Sequence, residues 1–481
     1  MGRNEGEADG RDGATVLVPC RAHDRRKVGG RSLRIGIVGA GVAGLSGAAF
    51  LARDGHAVEV LERAPRPVPM GAGLLLQPPG ARVLGELGVL GPVAAAASRI
   101  TRLEARTARG RVLLDLDYRR LGPALHGLGV ARAAIWSAVL RAAEASGALL
   151  RPNIAVVAAR DGEDGAAAVT EGGAVLPYDL LVVAAGTHTT LRPERASRLY
   201  PWGCLWMTVP LPDDWPDDVL GQRCEGTAVM LGVLPTGTRD GRRIGALYWS
   251  LRNDRVAAWR GRPLADWRAE VARAWPEAEP LVAELRRDAI GHATYRDVWA
   301  DPPHGSRVML IGDAAHGTSP QLGQGATGAL RDAAALRDAL REGGPVTVRL
   351  RAYWAVRRAR TLYYRRASRG LTPVFQSAIP GLGAARDLFA GPVGRIGFVR
   401  RQSLLTLVGA KTGMWGSEPP GGSPPGSAAE GVTRPSPAPS PRIPTGCRFR
   451  RPPAGMRGGI SPSPPAPARG AAPRSPAACP G

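Results

Sequence analysis

The chain has 481 residues, of which 44% are apolar and 22% are charged, and its formal net charge is +23 at pH 7. This length corresponds to about two to four domains, and the apolar content predicts that most of the chain is globular rather than disordered or fibrous. No apolar run is long enough to span a membrane, so we expect no transmembrane helix and no membrane partner. We also expect no secretory signal, because the N-terminal apolar run is too short.

The cysteines and the basic residues limit the functional classes further. Five scattered cysteines without CxxC spacing predict a cytoplasmic protein and argue against a disulfide scaffold or a zinc site. Of the 64 basic residues 62 are arginine, and they form no runs with interleaved aromatic residues. We therefore expect an arginine-rich solvated surface and no nucleic-acid partner. A basic nucleic-acid-binding scaffold remains the non-enzyme alternative, and the sequence does not indicate an oligomeric state.

Composition divides the chain into three regions. Residues 1–32 are polar and glycine-rich, which predicts a disordered leader. Residues 416–481 contain 18 of the 44 prolines and almost no large apolar side chains, which predicts a disordered Pro/Arg-rich tail. The central region, 33–415, alternates strand-like and helical patterns and is predicted to be folded.

The folded region begins with a βαβ unit, because a strand at 33–38, a helix at 42–53 and a strand at 57–61 follow within thirty residues. The tryptophan-rich stretch 195–300 predicts a separate sheet of short strands. The other predicted elements, in chain order, are a helix at 132–145, strands at 149–159, 166–170, 180–185 and 307–311, and helices at 326–340, 353–370 and 384–407.

The turn after the first strand carries the string GAGVAG over residues 39–44. In a GxGxxG turn, Gly39 permits the tight bend, Gly41 lets the backbone approach a pyrophosphate, and Gly44 allows close helix–strand contact. Ala43 belongs to the same candidate site. Glu62 ends the next strand at the spacing expected for a carboxylate that binds a ribose diol. These residues predict dinucleotide binding, but they do not separate NAD from FAD.

A second constellation lies near the end of the folded region, where RVMLIGDAAH at 307–316 is followed by SPQLGQGAT at 319–327. Together with the GAGVAG turn, it resembles the class A flavoprotein monooxygenases, the FAD-dependent aromatic hydroxylases typified by the 4-hydroxybenzoate and salicylate hydroxylases. The resemblance covers about residues 33–415. It implies an α/β fold with a Rossmann-like FAD-binding βαβ domain, an interleaved substrate-binding β-sheet domain and C-terminal helices.

The resemblance also implies a domain order and a set of FAD contacts. Asp313 would bind the ribityl chain, and the helix beginning at 323–327 would face the flavin pyrimidine ring, where its N–H groups stabilise negative charge. The implied domains are the FAD-binding domain in two parts (33–190 and 301–345), the substrate-binding sheet domain (191–300) and the C-terminal helices (346–415). Besides Gly39, Gly41, Ala43, Gly44, Glu62 and Asp313, the implied cofactor-binding residues are Arg63, Gly73, Arg132, Val156, Pro320, Gly323, Gly325, Ala326 and Thr327.

Three positions depart from the family pattern. Ala185 stands where the family has an aspartate linked to FAD and nicotinamide binding, and an alanine offers no acceptor. Thr327 and Arg331 replace the asparagine and the acidic residue often found there. FAD binding is expected to persist, whereas the handling of NAD(P)H is put in question.

The activity implied by the resemblance is hydroxylation of an aromatic or polyketide-like small molecule. NAD(P)H would reduce FAD, and O2 would form the C4a-hydroperoxide that delivers the hydroxyl group. The alternative is an FAD-dependent dehydrogenase or reductase without oxygen insertion. No catalytic acid or base can be named, and His316 is expected to be structural. Trp202, Trp206, Met207 and Trp249 are candidates for a substrate cavity, although tryptophans in a sheet are more often core residues.

Overall fold

The structure is a computed structural model, and it describes residues 32–69, 71–192 and 196–420. The predicted leader up to residue 31 and the predicted tail beyond residue 420 lie outside the described residues.

Strands and helices alternate along the first half of the chain, and helices predominate near its C-terminal end. In chain order the strands are β1 (Arg34–Val38), β2 (Ala57–Leu61), β3 (Gly73–Leu76), β4 (Ser98–Ile100), β5 (Arg102–Thr107), β6 (Val112–Asp117), β7 (Gly127–Ala131), β8 (Leu149–Arg151), β9 (Val156–Asp161), β10 (Ala166–Thr170), β11 (Val175–Tyr178), β12 (Leu180–Val183), β13 (Ser197–Pro210), β14 (Val219–Glu225), β15 (Val229–Arg239), β16 (Arg242–Arg252), β17 (Gly291–Val298) and β18 (Val308–Leu310). The helices are α1 (Val42–Arg53), α2 (Pro78–Glu86), α3 (Leu90–Ala95), α4 (Arg132–Ala145), α5 (Val256–Gly261), α6 (Leu264–Ala274), α7 (Glu279–Val282), α8 (Asp313–His316), α9 (Gly325–Arg341), α10 (Val346–Phe375), α11 (Leu382–Arg395) and α12 (Gly397–Leu407).

A parallel sheet of five strands forms the first layer, in the order β18-β12-β1-β2-β8. Apart from the exposed Arg34 at the start of β1, its central strands β1 and β12 are apolar and buried, as expected for a parallel sheet that is covered by helices. Helix α1 packs against both α4 and α9. The core of this layer includes Ile35, Ile37, Leu45 and Leu51, all fully buried. The predicted α/β class is confirmed.

A second sheet has seven strands in the order β17-β13-β16-β15-β14-β5-β6. Its strands β13, β15 and β16 have 14, 11 and 11 residues, so the prediction of short strands was wrong. Strands β5 and β6 come from the segment predicted as the first part of the FAD-binding domain, and β5 pairs with β14 in parallel. The exact domain boundaries stay predictions.

Most predicted elements of the βαβ unit are confirmed, and two predicted elements are in fact divided. The predicted strand at 149–159 consists of β8 and β9, because Pro152 lacks an N–H for a ladder and Asn153 takes a left-handed backbone with φ 59°. The predicted helix at 384–407 consists of α11 and α12, separated at Ile396, whose backbone is extended.

A buried carboxylate on α9 joins three parts of the fold. Asp332 is fully buried and accepts hydrogen bonds from the Gly312 N–H at 2.7 Å and from Arg357 Nε at 2.7 Å. His316 Nε2 lies 2.5 Å from the same carboxylate. The carboxylate thus fixes the turn after β18, the end of α8 and the middle of α10. His316 has the structural role expected from the sequence, and Asp332 is the partner that the sequence did not reveal.

In the cluster of Asp332, His316 and Arg357, each charged group stabilises the opposite charge of its neighbour. Burial by itself raises the pKa of Asp332, but the charges of His316 and Arg357 and the hydrogen bonds hold that pKa well below its ordinary value. Burial disfavours the imidazolium of His316, yet the Asp332 carboxylate raises the pKa of His316 above its ordinary value. The Asp332 carboxyl therefore stays ionised at lower pH than an ordinary aspartate, and the His316 imidazolium persists to higher pH than an ordinary histidine.

We expect Asp332→Asn to lower the free energy of unfolding by about 3 kcal/mol or more, because it leaves the Arg357 guanidinium buried without its counter-charge. Urea denaturation followed by far-UV circular dichroism measures this loss. Asp338→Asn is the matched control on the same helix, since Asp338 is exposed and pairs with Arg337 at the surface. Equal free energies of unfolding for the two variants would contradict the role of Asp332 as the buried counter-charge of Arg357.

Candidate active site

Four neighbouring strands of the parallel sheet, β18, β12, β1 and β2, end at the same edge. The segments that follow them contribute Asp313, Gly186, Gly41 and Glu62 to the walls of one cleft of about 980 Å³. A crevice at the carboxyl ends of parallel strands is the usual ligand site of open α/β sheets. The two glycine-lined turns that are about 270 residues apart in sequence therefore meet in space, as the resemblance implied.

The three glycines of the first turn are required for three different reasons. Gly39 has φ +106°, and a Cβ there would lie 2.8 Å from the Ala184 carbonyl oxygen. A Cβ on Gly44 would overlap the carbonyl oxygen of Gly39, so only glycine permits α1 to approach β1 this closely. A Cβ on Gly41 would meet no atom within 4 Å. The space in front of Gly41 is open cleft, which suits a ligand that approaches the backbone.

Glu62 fixes the same turn from the end of β2. Its carboxylate accepts hydrogen bonds from the Ala40 N–H at 2.8 Å and from the Ala64 N–H at 2.9 Å. The Trp136 indole of α4 donates to the Ala40 carbonyl at 2.8 Å. Each oxygen of Glu62 keeps a free lone pair, because a carboxylate has about four acceptor positions. It can therefore accept hydrogen bonds from a diol while it holds the turn.

The opposite wall is built on the turn after β18 and on the N-terminus of α9. Asp313 begins α8, and its Oδ1 would lie 3.9 Å from a Cβ placed on Gly325, the first residue of α9. Gly323 has a left-handed backbone with φ +60°. No side chain of the described residues caps α9, and Gln324 donates instead to the Leu407 carbonyl at 2.8 Å. Within the described part of the chain, the first N–H groups of this 17-residue helix thus remain free beside Asp313.

Most of the predicted cofactor-binding residues lie in this cleft. Gly39 and Gly44 are not on its surface, since they form the turn beneath it. Val156 begins β9 and is also not among the lining residues. The predicted residues that line the cleft are Gly41, Ala43, Glu62, Arg63, Gly73, Arg132, Asp313, Pro320, Gly323, Gly325, Ala326 and Thr327.

The cleft continues onto the seven-stranded sheet. Of the four residues predicted to face a substrate cavity, only Trp206 lines it. Met207 and Trp249 are buried in the core between this sheet and the helices α5 to α7, and Trp202 is buried without reaching the cleft. Along a strand, side chains alternate between the two faces, which is why the neighbours Trp206 and Met207 part in this way.

Two tyrosines that the sequence did not single out line this part of the cleft. Tyr248 on β16 accepts a hydrogen bond from Gln222 Nε2, so its own proton is free to be donated into the cleft. Tyr295 on β17 lies beside the Cys204 thiol of β13, the strand between β17 and β16. Burial raises the pKa of both tyrosines well above the ordinary value, so both hydroxyls are neutral donors. The only sequence signal for these two tyrosines is the alternation of side chains along a strand, which places every second residue on the same face of the sheet.

The charges of the cleft are unevenly distributed. Among the described residues that line it, the only carboxylates are Glu62 and Asp313, both on the side of the parallel sheet. On the side of the seven-stranded sheet, the charged residue among the described lining residues is Arg296 of β17. This side therefore suits neutral or anionic groups, and its described lining residues offer no carboxylate to a cation.

The loop after β12 lines the cleft where the family aspartate is replaced by Ala185. Arg192 holds this loop by donating to the carbonyls of Gly186 and Thr187. Burial, reinforced by the charges of Arg296, Arg192 and Arg63, lowers the pKa of His188. Both Arg63 and Arg296 line the cleft beside it. The loop is thus a positively charged region, although it lacks the family's acceptor.

The residues present fit an FAD. The open space before Gly41 fits a pyrophosphate at the N-terminus of α1, and Glu62 fits the adenosine ribose. At the far end, Asp313 and the uncapped N-terminus of α9 fit a polyol and the electron-rich edge of a flavin.

Comparisons with known proteins agree with this geometry. Residues 32–360 match the family described as "FAD binding domain". The chain is 31% identical over 359 residues to a kynurenine 3-monooxygenase from Salinispora tropica, covering 69% of this chain and 78% of the relative. It is 30% identical to a 3-amino-4-hydroxybenzoate 2-monooxygenase from Streptomyces cremeus, covering 72% of this chain and 88% of the relative.

Among solved structures, the chain is similar to Klebsiella pneumoniae HpxO complexed with FAD and uric acid, with a TM-score of 0.66 and 21% identity over 78% of this chain and 97% of the other. At this identity the likeness shows the fold alone. The family match and the two relatives go further: the chain belongs to the FAD binding domain family and is an FAD-dependent monooxygenase.

Proposed function

We propose that the protein hydroxylates a planar aromatic small molecule, neutral or anionic, with NAD(P)H as reductant and O2 as the oxygen source. The observation that carries the proposal is a single continuous cleft with a dinucleotide-binding turn at one end and an aromatic-lined sheet at the other. The coenzyme and the substrate would then share one cavity from which water is largely excluded.

The parallel sheet side would hold the coenzyme. We assign the pyrophosphate to Gly41, Ala43 and the α1 N-terminus, the adenosine ribose to Glu62, and the ribityl chain to Asp313. Arg132, whose side chain lies against Gly71, would contact phosphate or ribityl oxygens. The other residues assigned to the coenzyme are Gly39, Gly44, Arg63, Gly73, Pro320, Gly323, Gly325, Ala326 and Thr327, and Val156 is retained only for an adenine contact through its backbone.

FAD, when bound, supplies the redox chemistry by which oxygen is activated and transferred. The chain's own groups position the reactants. The free N–H groups at the start of α9 favour negative charge in front of them. Trp206 offers a flat surface for an aromatic ring, and the hydroxyls of Tyr248 and Tyr295 can donate hydrogen bonds to a ring oxygen.

The relatives support the aromatic substrate class, since their names specify kynurenine and 3-amino-4-hydroxybenzoate as substrates. They are monooxygenases, so they do not favour the alternative of a dehydrogenase without oxygen insertion. We propose NAD(P)H as the reductant, with its phosphates beside Arg296 rather than beside an aspartate at position 185.

Gly41→Val is expected to weaken FAD binding about tenfold or more, because the added side chain occupies the space assigned to the pyrophosphate. Fluorescence titration of flavin-depleted protein gives the dissociation constant. Gly47→Ala is the matched control on α1, since its Cβ would make ordinary contacts at 3.9 Å within the core. Undiminished affinity in Gly41→Val would show that the pyrophosphate lies elsewhere.

Arg296→Gln is expected to raise the KM for NAD(P)H about tenfold while FAD affinity stays the same, because the charge assigned to the nucleotide phosphates is lost. The dependence of the flavin-reduction rate on NAD(P)H concentration, followed by stopped-flow absorbance, measures the change for NAD(P)H. Arg198→Gln is the control, since Arg198 is exposed nearby and does not line the cleft. A change in FAD affinity with unchanged reduction would instead place Arg296 at the coenzyme.

The reaction itself is tested with FAD-loaded protein, NADH or NADPH, isotopically labelled O2, and a panel of aminobenzoates, hydroxybenzoates and kynurenine. We expect NAD(P)H and O2 to be consumed together and one labelled oxygen atom to appear in an aromatic product by mass spectrometry. Gly41→Val is the negative control. Rapid NAD(P)H oxidation with another electron acceptor, and no labelled product from any compound, would refute oxygen insertion.

A further inference from the structure

The C-terminal helices carry large apolar side chains that no described part of the chain covers. The exposed fractions are 60% for Phe389 on α11, 67% for Phe398 on α12 and 90% for Trp415 in the turn that follows. Within the described residues, no other phenylalanine or tryptophan is exposed. Soluble proteins rarely expose aromatic residues in groups, and such groups mark sites of interaction. We call this surface the C-terminal apolar patch and define it by Phe389, Val393, Ile396, Phe398, Met414 and Trp415.

The patch is continuous along the chain and in space. Phe389 and Val393 are four residues apart on α11 and so lie on one face of the helix. Ile396, at the junction of the two helices, accepts a hydrogen bond from the Arg400 N–H of α12. Phe398 precedes Gln402 by one turn, and Gln402 accepts a hydrogen bond from Lys411 at 3.1 Å.

Lys411 also connects the last part of the patch to α12, because it donates to the Met414 carbonyl at 2.9 Å. An antiparallel β-bridge between the backbones of Lys411 and Ser417 closes the turn that presents Met414 and Trp415. The aromatic tip of this turn therefore lies next to the Phe398 face of α12 and does not form a separate surface.

The charge around the patch is strongly positive. Residues 379–415 hold five basic residues and a single acidic one, Asp387, which pairs with Arg386 at 2.6 Å. Arg395, Arg400 and Arg401 form no ion pair within the described part of the chain. Exposed apolar side chains flanked by basic residues are typical of surfaces that bind anionic membranes.

We propose that the C-terminal apolar patch binds the surface of an anionic lipid bilayer. The aromatic and aliphatic side chains would enter the boundary between headgroups and acyl chains, and the three arginines would contact lipid phosphates. The contact is peripheral, because no described helix is long and apolar enough to cross a bilayer. The expectation of no membrane partner rested on the lack of a spanning segment and does not bear on such a contact.

The charges argue against two other occupants. A second copy of the chain would bring two sets of free arginines together, which is repulsive. The segment 421–481 is itself rich in arginine and poor in large apolar residues, so it offers neither the charge nor the surface to cover the patch. An anionic bilayer complements both properties.

Co-sedimentation of the full chain with vesicles tests the proposal. We expect binding to vesicles that contain phosphatidylglycerol and binding about tenfold or more weaker to pure phosphatidylcholine vesicles, with further loss at high salt. The double variant Phe398→Ser/Trp415→Ser removes apolar contacts, and Arg400→Gln/Arg401→Gln removes charge. Both should lose most of the binding.

Val356→Ser is the matched control, because Val356 is 76% exposed on α10 outside the patch. It should bind like the unchanged protein. FAD content and activity in solution should be the same for all variants, which separates this proposal from the proposed function. Absence of binding to anionic vesicles, equal loss in Val356→Ser, or a dimer that only the double aromatic variant abolishes would overturn the proposal.

Discussion

The candidate active site depends on one buried charge. Asp332 holds the Gly312 N–H, His316 and Arg357 within hydrogen-bond distance and thereby fixes the turn that presents Asp313. Because the carboxylate is fully buried, water cannot replace its partners, and loss of the carboxylate would leave His316 and Arg357 without their counter-charge. The carboxylate therefore holds the turn after β18, α9 and α10 together, with the N-terminus of α9 at the cleft.

The first turn is fixed by different means. There the constraint is steric, since the glycines permit α1 to approach β1, and Glu62 and Trp136 hold the loop between them. The parallel order β18-β12-β1-β2 then places both turns, and the loop that contains Ala185, at one sheet edge. The cleft thus results from the strand order together with two fixed turns. Close glycine packing fixes the turn after β1, and the buried charge of Asp332 fixes the turn after β18.

The substrate side has a different origin. Tyr248, Trp206 and Tyr295 come from three adjacent long strands, and each points into the cleft because of its phase in the strand. Their polar groups are few and neutral, and the carboxylates of the cleft lie on the other wall. This division suits a site in which a charged coenzyme and a mainly apolar ring are bound side by side.

The sequence by itself determined the βαβ unit, the glycine turn, Glu62 and the helix that begins at Gly325, because these features depend on local spacing and on backbone conformations that only glycine adopts easily. It also led to the family. The tertiary structure alone decided that Asp332 is the partner of His316, that 384–407 forms two helices, and that Trp206 lines the cleft whereas Met207 and Trp249 do not. Such properties depend on contacts between distant segments and on strand register, which local patterns do not specify.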